Sequence, residues 1–153
     1  MEERLNYAKL TPEATKAMYS LGAYLARCGL EKGLLELVKI RVSQINGCAF
    51  CLDMHTKDAR AEGETEQRIY ALNAWRETPF FTDRERAALA WAEAVTRIGE
   101  GVHDPLYQET SQHFTEKELA DLTWAVVAIN GWNRIAISFR AVPGSYQPAR
   151  TSH

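Results

Sequence analysis

The stretch ELVKIRVSQINGCAFCLDMH, residues 36–55, carries more of the fold than any other in the chain. On a helix of 3.6 residues per turn, positions three, four or seven apart share a face. Glu36 and Ser43 are seven apart near the end of one apolar-periodic segment, and Cys48, Cys51 and His55 follow at intervals of three and four. Asn46 and Gly47, between the two groups, are turn residues that supply a chain reversal. Two helices meeting at that turn would direct a carboxylate, a hydroxyl, two thiols and an imidazole into one small volume.

Outward from this stretch, helix signals recur and strand signals are scarce. Thr11 and Pro12 read as an N-cap and first-turn proline, ahead of a stripe of Ala14, Met18, Leu21, Leu25 and Cys28 that Gly29 closes. Leu34, Leu35, Val38, Val42 and Ile45 form a second stripe, and a third helix is predicted from Cys48 to Glu62, stopping at Gly63. Thr65 caps a fourth, carrying Ile69, Leu72 and Trp75 before Pro79. Capping boxes at Thr82/Glu85 and Thr115/Glu118 open two more, with a turn over 99–105 and a short helix over 106–114 between them. The last helix is predicted to continue past Gly131 to about Ala141, although an interior glycine costs roughly 1 kcal/mol. The expectation is an all-α fold of six to seven helices, compact and forming one domain over 1–153. Its core motif is 34–63, and a polar tail, 145–153, is either loose or laid on a neighbouring subunit.

With 153 residues, 46% hydrophobic and 25% charged, the chain can bury a core without disulfide staples. A net charge of −2 argues against nucleic acid or an anionic membrane as partner, since either selects a basic face. No basic segment followed by an apolar run opens the chain, and the apolar run Trp124 to Ile129 is far short of the ~20 residues that span a bilayer. An odd count of three cysteines, two of them in a C-x-x-C, then points to a reducing compartment, the cytoplasm, and a working thiol pair.

A thiol attacks as its thiolate, and a helix N-terminus favours that anion. His55, four residues beyond Cys51, is placed to accept its proton, and Glu36 to orient the imidazole or relay a proton through water. Ser43 can donate to a sulfur or to the carboxylate. One sulfur can attack an oxidant, become a sulfenic acid and be resolved by the other, after which an external dithiol must restore the pair. Lys39 and Arg41 are read as solvated or salt-bridged, with the capacity to stabilise a thiolate; Cys28 is read as core, and His103, His113 and His153 are given no role.

At these residues the chain resembles the alkylhydroperoxidase D (AhpD)-like group of the carboxymuconolactone decarboxylase superfamily. The likeness is strong over Leu34 to Gly63, and a weaker one covers Ile129 to Ala136. It implies an all-helical homo-oligomer, a trimer or hexamer, that reduces hydroperoxides through a cycling Cys48–Cys51 disulfide with a lipoyl or thioredoxin-like dithiol as electron source. It also implies Cys51 as the peroxide-attacking residue, Cys48 as the resolving one, and Glu36 with His55 as the proton relay. Thioredoxin-type sites favour the first cysteine instead, so the order stays open. Phe50 stands where some family peroxidases carry a second histidine, which removes a proton carrier and points to an apolar pocket and an organic hydroperoxide.

No cofactor and no metal are expected. The alternatives are a general disulfide reductase or redox sensor, a lactone decarboxylase, a zinc site built from Cys48, Cys51, His55 and Glu36, and a non-catalytic helical oligomer. The thiol pair weighs against the lactone chemistry, and so many polar groups would be costly filler for an apolar interior.

Overall fold

The computed structural model describes residues 1–149. Eight α-helices are present among them: α1 (Tyr7–Leu10), α2 (Pro12–Leu25), α3 (Lys32–Asn46), α4 (Ala49–Ala61), α5 (Glu66–Ala71), α6 (Asp83–Thr96), α7 (Asp104–Ser111) and α8 (Glu116–Phe139). Short 3-10 turns occupy Leu72–Glu77 and Ile98–Glu100. The fold is all-helical, as the apolar periodicity requires.

α3 is the central element and packs against α4, α6 and α8. Its Leu34, Leu35, Val38 and Val42 face one apolar cluster with α8, while Leu37 and Ile40 face a second with Leu72, Trp75 and Leu89. Burying one such side chain contributes about 1.5–3 kcal/mol, so a helix covered on both flanks anchors the whole arrangement. From Leu34 to Ser43 only Glu36 and Lys39 escape full burial. They are one turn apart, on the side of α3 that the core leaves open.

Both capping boxes form, with Thr82 and Thr115 each accepting from the backbone N–H of the glutamate three residues on. α8 runs unbroken through Gly131, where an added Cβ would lie 3.1 Å from Met18 Cε. The glycine therefore lets α2 approach closely, which offsets its poor helix propensity.

Four expectations need correction. α2 ends at Leu25, before the stripe reaches Cys28, and Thr11 makes no side-chain cap, its hydroxyl donating instead to the Tyr7 carbonyl of α1. The segment after α5 tightens to 3-10 geometry and kinks at Ala74. Leu72 and Trp75 are three apart and both buried, a spacing that a 3-10 turn eclipses onto one side. Finally, the tail as far as residue 149 lies on its own chain, against α4: Gly144 N–H donates to Asp53 Oδ2 at 3.0 Å, and Lys57 Nζ to the Tyr146 carbonyl at 3.0 Å. The expectation for residues 150–153, His153 included, lies outside the described residues.

Candidate thiol site

Gly47 makes the junction on which the site depends. It adopts the left-handed conformation (φ 71°, ψ 34°), caps α3, and lets the Cys48 N–H donate back to the Ser43 carbonyl at 3.0 Å. Cys48 is then the N-cap of α4, its sulfur accepting from the Cys51 N–H at 3.3 Å. The two cysteines are joined as a disulfide, with Cα atoms 5.3 Å apart. Both are buried, at 1% and 4% exposure.

The same reversal sets α4 beside α3 and brings Glu36 to His55: Oε2 and Nδ1 are 2.9 Å apart. Glu36 Oε1 accepts from Lys39 Nζ at 2.6 Å. Burial pushes the Glu36 carboxyl up, but the His55 hydrogen bond and the Lys39 and His55 charges outweigh it and hold the group below the ordinary carboxyl range. It is therefore an ionised acceptor that fixes the imidazole with Nδ1 toward α3, leaving Nε2 for exchange.

Glu36, Lys39, His55 and Asp58 line a cavity of about 410 Å³. Its other wall is apolar, with Leu25, Ala128, Ile129 and Trp132, and Tyr146 and Pro148 of the tail close one side. Tyr146 Oη donates to Asp58 Oδ1 at 2.6 Å. Burial, that hydrogen bond and the charges of Asp58 and Glu36 push the phenol up to about 12, so it stays a donor. Ligand atoms of Glu36, His55 and Asp58 lie within 4.8 Å of one another. Lys39 on Glu36 and Tyr146 on Asp58 already satisfy both carboxylates, which suits a hydrogen-bond relay better than a metal cage.

Not every candidate residue joins this group. Ser43, fully buried, has its hydroxyl oxygen engaged by Asn133 Nδ2 at 3.0 Å rather than by Glu36. Asn133 Oδ1 in turn accepts from Asn46 Nδ2 at 2.9 Å, and Asn46 also reaches Asn130 at 3.0 Å, so a polar seam ties the hairpin to α8. Arg41 is taken up by Glu93 at 2.8 Å and Asn73 at 2.8 Å, and Lys39 by Glu36. Cys28 is free, half-buried and packed against the core. Phe50 belongs to a separate hollow with Tyr7, Ala141 and Val142, so it does not line the Glu36–His55 cavity. Sequence reasoning missed Asn133, Asp58 and Tyr146. Two asparagines at a spacing of three in the largely apolar stretch 124–139 of α8 were a signal for the first; the other two had none.

Fold and site together define an all-helical protein of the AhpD-like type. The chain belongs to the carboxymuconolactone decarboxylase family, matching it over residues 12–94. It is 46% identical over 139 residues to YdfG, an uncharacterized protein of Bacillus subtilis (strain 168), covering 90% of this chain and 95% of that one. The crystal structure of a protein of unknown function from Agrobacterium tumefaciens, given as a candidate antioxidant defence protein AhpD, superposes with a TM-score of 0.88. Its identity is 46%, over 97% of this chain and 100% of that one. A shorter match, 46% identical over 43 residues, is to the alkyl hydroperoxide reductase AhpD of Hyphomonas neptunium (strain ATCC 15444); it spans 28% of this chain and 24% of that protein. Among the described residues no helix is long and apolar enough to cross a membrane.

Proposed function

We propose that this protein is a thiol-dependent hydroperoxide reductase that cycles through the Cys48–Cys51 disulfide. The observation that carries the reading is the 2.9 Å contact between Glu36 of α3 and His55 of α4, the helix whose first turn holds the two joined cysteines. In the reduced protein His55 takes the Cys51 thiol proton. The Cys51 thiolate attacks the terminal oxygen of a hydroperoxide, the O–O bond breaks, and the leaving alkoxide takes a proton through His55 to depart as an alcohol. Cys51 is then a sulfenic acid. The Cys48 thiolate attacks that sulfur, expelling hydroxide, which is protonated to water, and the disulfide is restored. Two exchange steps with an external dithiol, lipoyl or thioredoxin-like, return both thiols and leave the partner oxidised. The working form in this reading is a cytoplasmic homo-oligomer, a trimer or hexamer.

Rapid mixing of the reduced protein with cumene hydroperoxide, with the Cys48–Cys51 link followed by mass spectrometry, tests the proposal. Wild type and Cys28→Ser are expected to form the link with one peroxide consumed, and Cys51→Ser to consume none. Equal peroxide consumption by wild type and Cys51→Ser would reject it. A general disulfide reductase is separated by the same protein reacting faster with a small disulfide than with peroxide.

A further inference from the structure

Around His55 the groups that carry or can carry charge come from three elements. α3 supplies Glu36 and Lys39, α4 supplies Asp58 and, in the reduced protein, the Cys51 thiol one turn before His55, and the C-terminal segment supplies Tyr146; Lys32 and Glu62 also line the cavity. The residues that α8 presents there, Ala125, Ala128, Ile129 and Trp132, carry no charge. His55 Nδ1 therefore has two carboxylates within reach. Glu36 Oε2 is at 2.9 Å and accepts; Asp58 Oδ2, one helical turn away, is at 4.0 Å and does not.

What separates the two carboxylates is the tail. Tyr146 Oη holds Asp58 Oδ1 at 2.6 Å, and the tail is itself pinned by Lys57 on the Tyr146 carbonyl and Asp53 on the Gly144 N–H. A carboxylate tied at one oxygen cannot rotate its other oxygen freely onto the imidazole. We infer that Tyr146 is a positioning residue for His55: by holding Asp58 back, it leaves Glu36 as the sole acceptor at Nδ1 and keeps the ring turned for proton exchange at Nε2. The role in turnover rests on the hydroperoxide-reductase reading, whereas the restraint on the ring does not.

Removing the phenol oxygen frees Asp58 to close the gap to Nδ1. A second carboxylate at hydrogen-bond distance stabilises the imidazolium, so the ring keeps its proton to higher pH. Following the His55 ring signals by NMR against pH, in reduced wild type, Tyr146→Phe, Asp58→Asn and the double variant, tests this. In Tyr146→Phe the transition is expected to move up by roughly 0.5–1 pH unit. In the Asp58→Asn background the same substitution is expected to have no effect, because its action passes through Asp58. An unchanged transition in Tyr146→Phe, or an equal shift with and without Asp58, overturns the inference. Peroxide consumption by wild type, run alongside, reports on the reductase reading separately: a Tyr146 effect that vanishes without Asp58, in a protein inert to peroxide, upholds the restraint and removes the reaction.

Discussion

Replacing Glu36 by glutamine probes the relay with little change of shape. The amide oxygen can still accept from His55 Nδ1, so the ring stays in place, but the negative charge is gone. In the native protein that charge sits 2.9 Å from Nδ1 with both side chains largely buried, 14% and 12% exposed. A charge-assisted hydrogen bond in such a setting contributes about 1.5–3 kcal/mol. Lys39, now without its carboxylate, adds an uncompensated positive charge on the same wall and opposes imidazolium formation further. If this is expressed in full as His55 takes up the thiol proton, the rate falls by roughly 10- to 150-fold, since 1.36 kcal/mol is a factor of ten. Stopped-flow measurement of disulfide formation after mixing reduced protein with cumene hydroperoxide reads the effect, with circular dichroism confirming intact helices. A rate within about twofold of wild type would show that the carboxylate only packs.

The remaining predictions concern the scaffold. Glu93 is held by Arg41, Trp75 and Arg76 at 2.8, 2.9 and 2.5 Å, so Glu93→Ala strands a buried guanidinium. The cost is expected to be about 3–5 kcal/mol, seen as a melting temperature lower by roughly 10 °C. Burial pushes the Glu93 carboxyl up, but its hydrogen bonds win and hold it below 4.5. Its contribution is therefore full above that pH and lost as pH falls through the lowered value, and Glu93→Gln should flatten the acid limb of stability. Asn133→Ala is expected to cost roughly 1–3 kcal/mol in urea unfolding, because it leaves the Ser43 hydroxyl without its amide donor. Gly47→Ala meets no neighbour within 4 Å, so its expected cost of about 1–2 kcal/mol comes from the left-handed backbone alone, and an unchanged urea midpoint would refute that.

Much of this architecture was legible in the residues because it is written locally. A threonine three before a glutamate, or apolar side chains at intervals of three and four, specifies a helix end or a buried stripe with no knowledge of the rest of the chain. The meeting of Glu36 and His55 was legible for the same reason: two helical spacings joined by one left-handed glycine leave few geometries. The burial of α3 on both flanks went beyond its expected stripe, since the second flank is covered by Leu72, Trp75 and Leu89, which arrive from later elements. Ser43 was assigned to a sulfur or to the carboxylate by its register with Glu36, yet two turns further along a helix packed on both flanks it lies against α8, and Asn133 engages it. The docking of Tyr146 on Asp58 bridges 88 positions and belongs to a segment without periodicity, so no local pattern announces it.

The burial of the two cysteines, 1% and 4% exposed in the joined state, would have a consequence for how electrons are delivered in the proposed cycle. A protein-sized donor cannot bring its own thiolate in line with the bond while the surrounding helices stay closed. In the proposed cycle, re-reduction by such a donor would then require a local opening around the disulfide, at a pace set by how often that opening occurs. In the same proposal, a donor slim enough to reach the buried sulfurs would escape this limit, so bulk as well as driving force would select among donors.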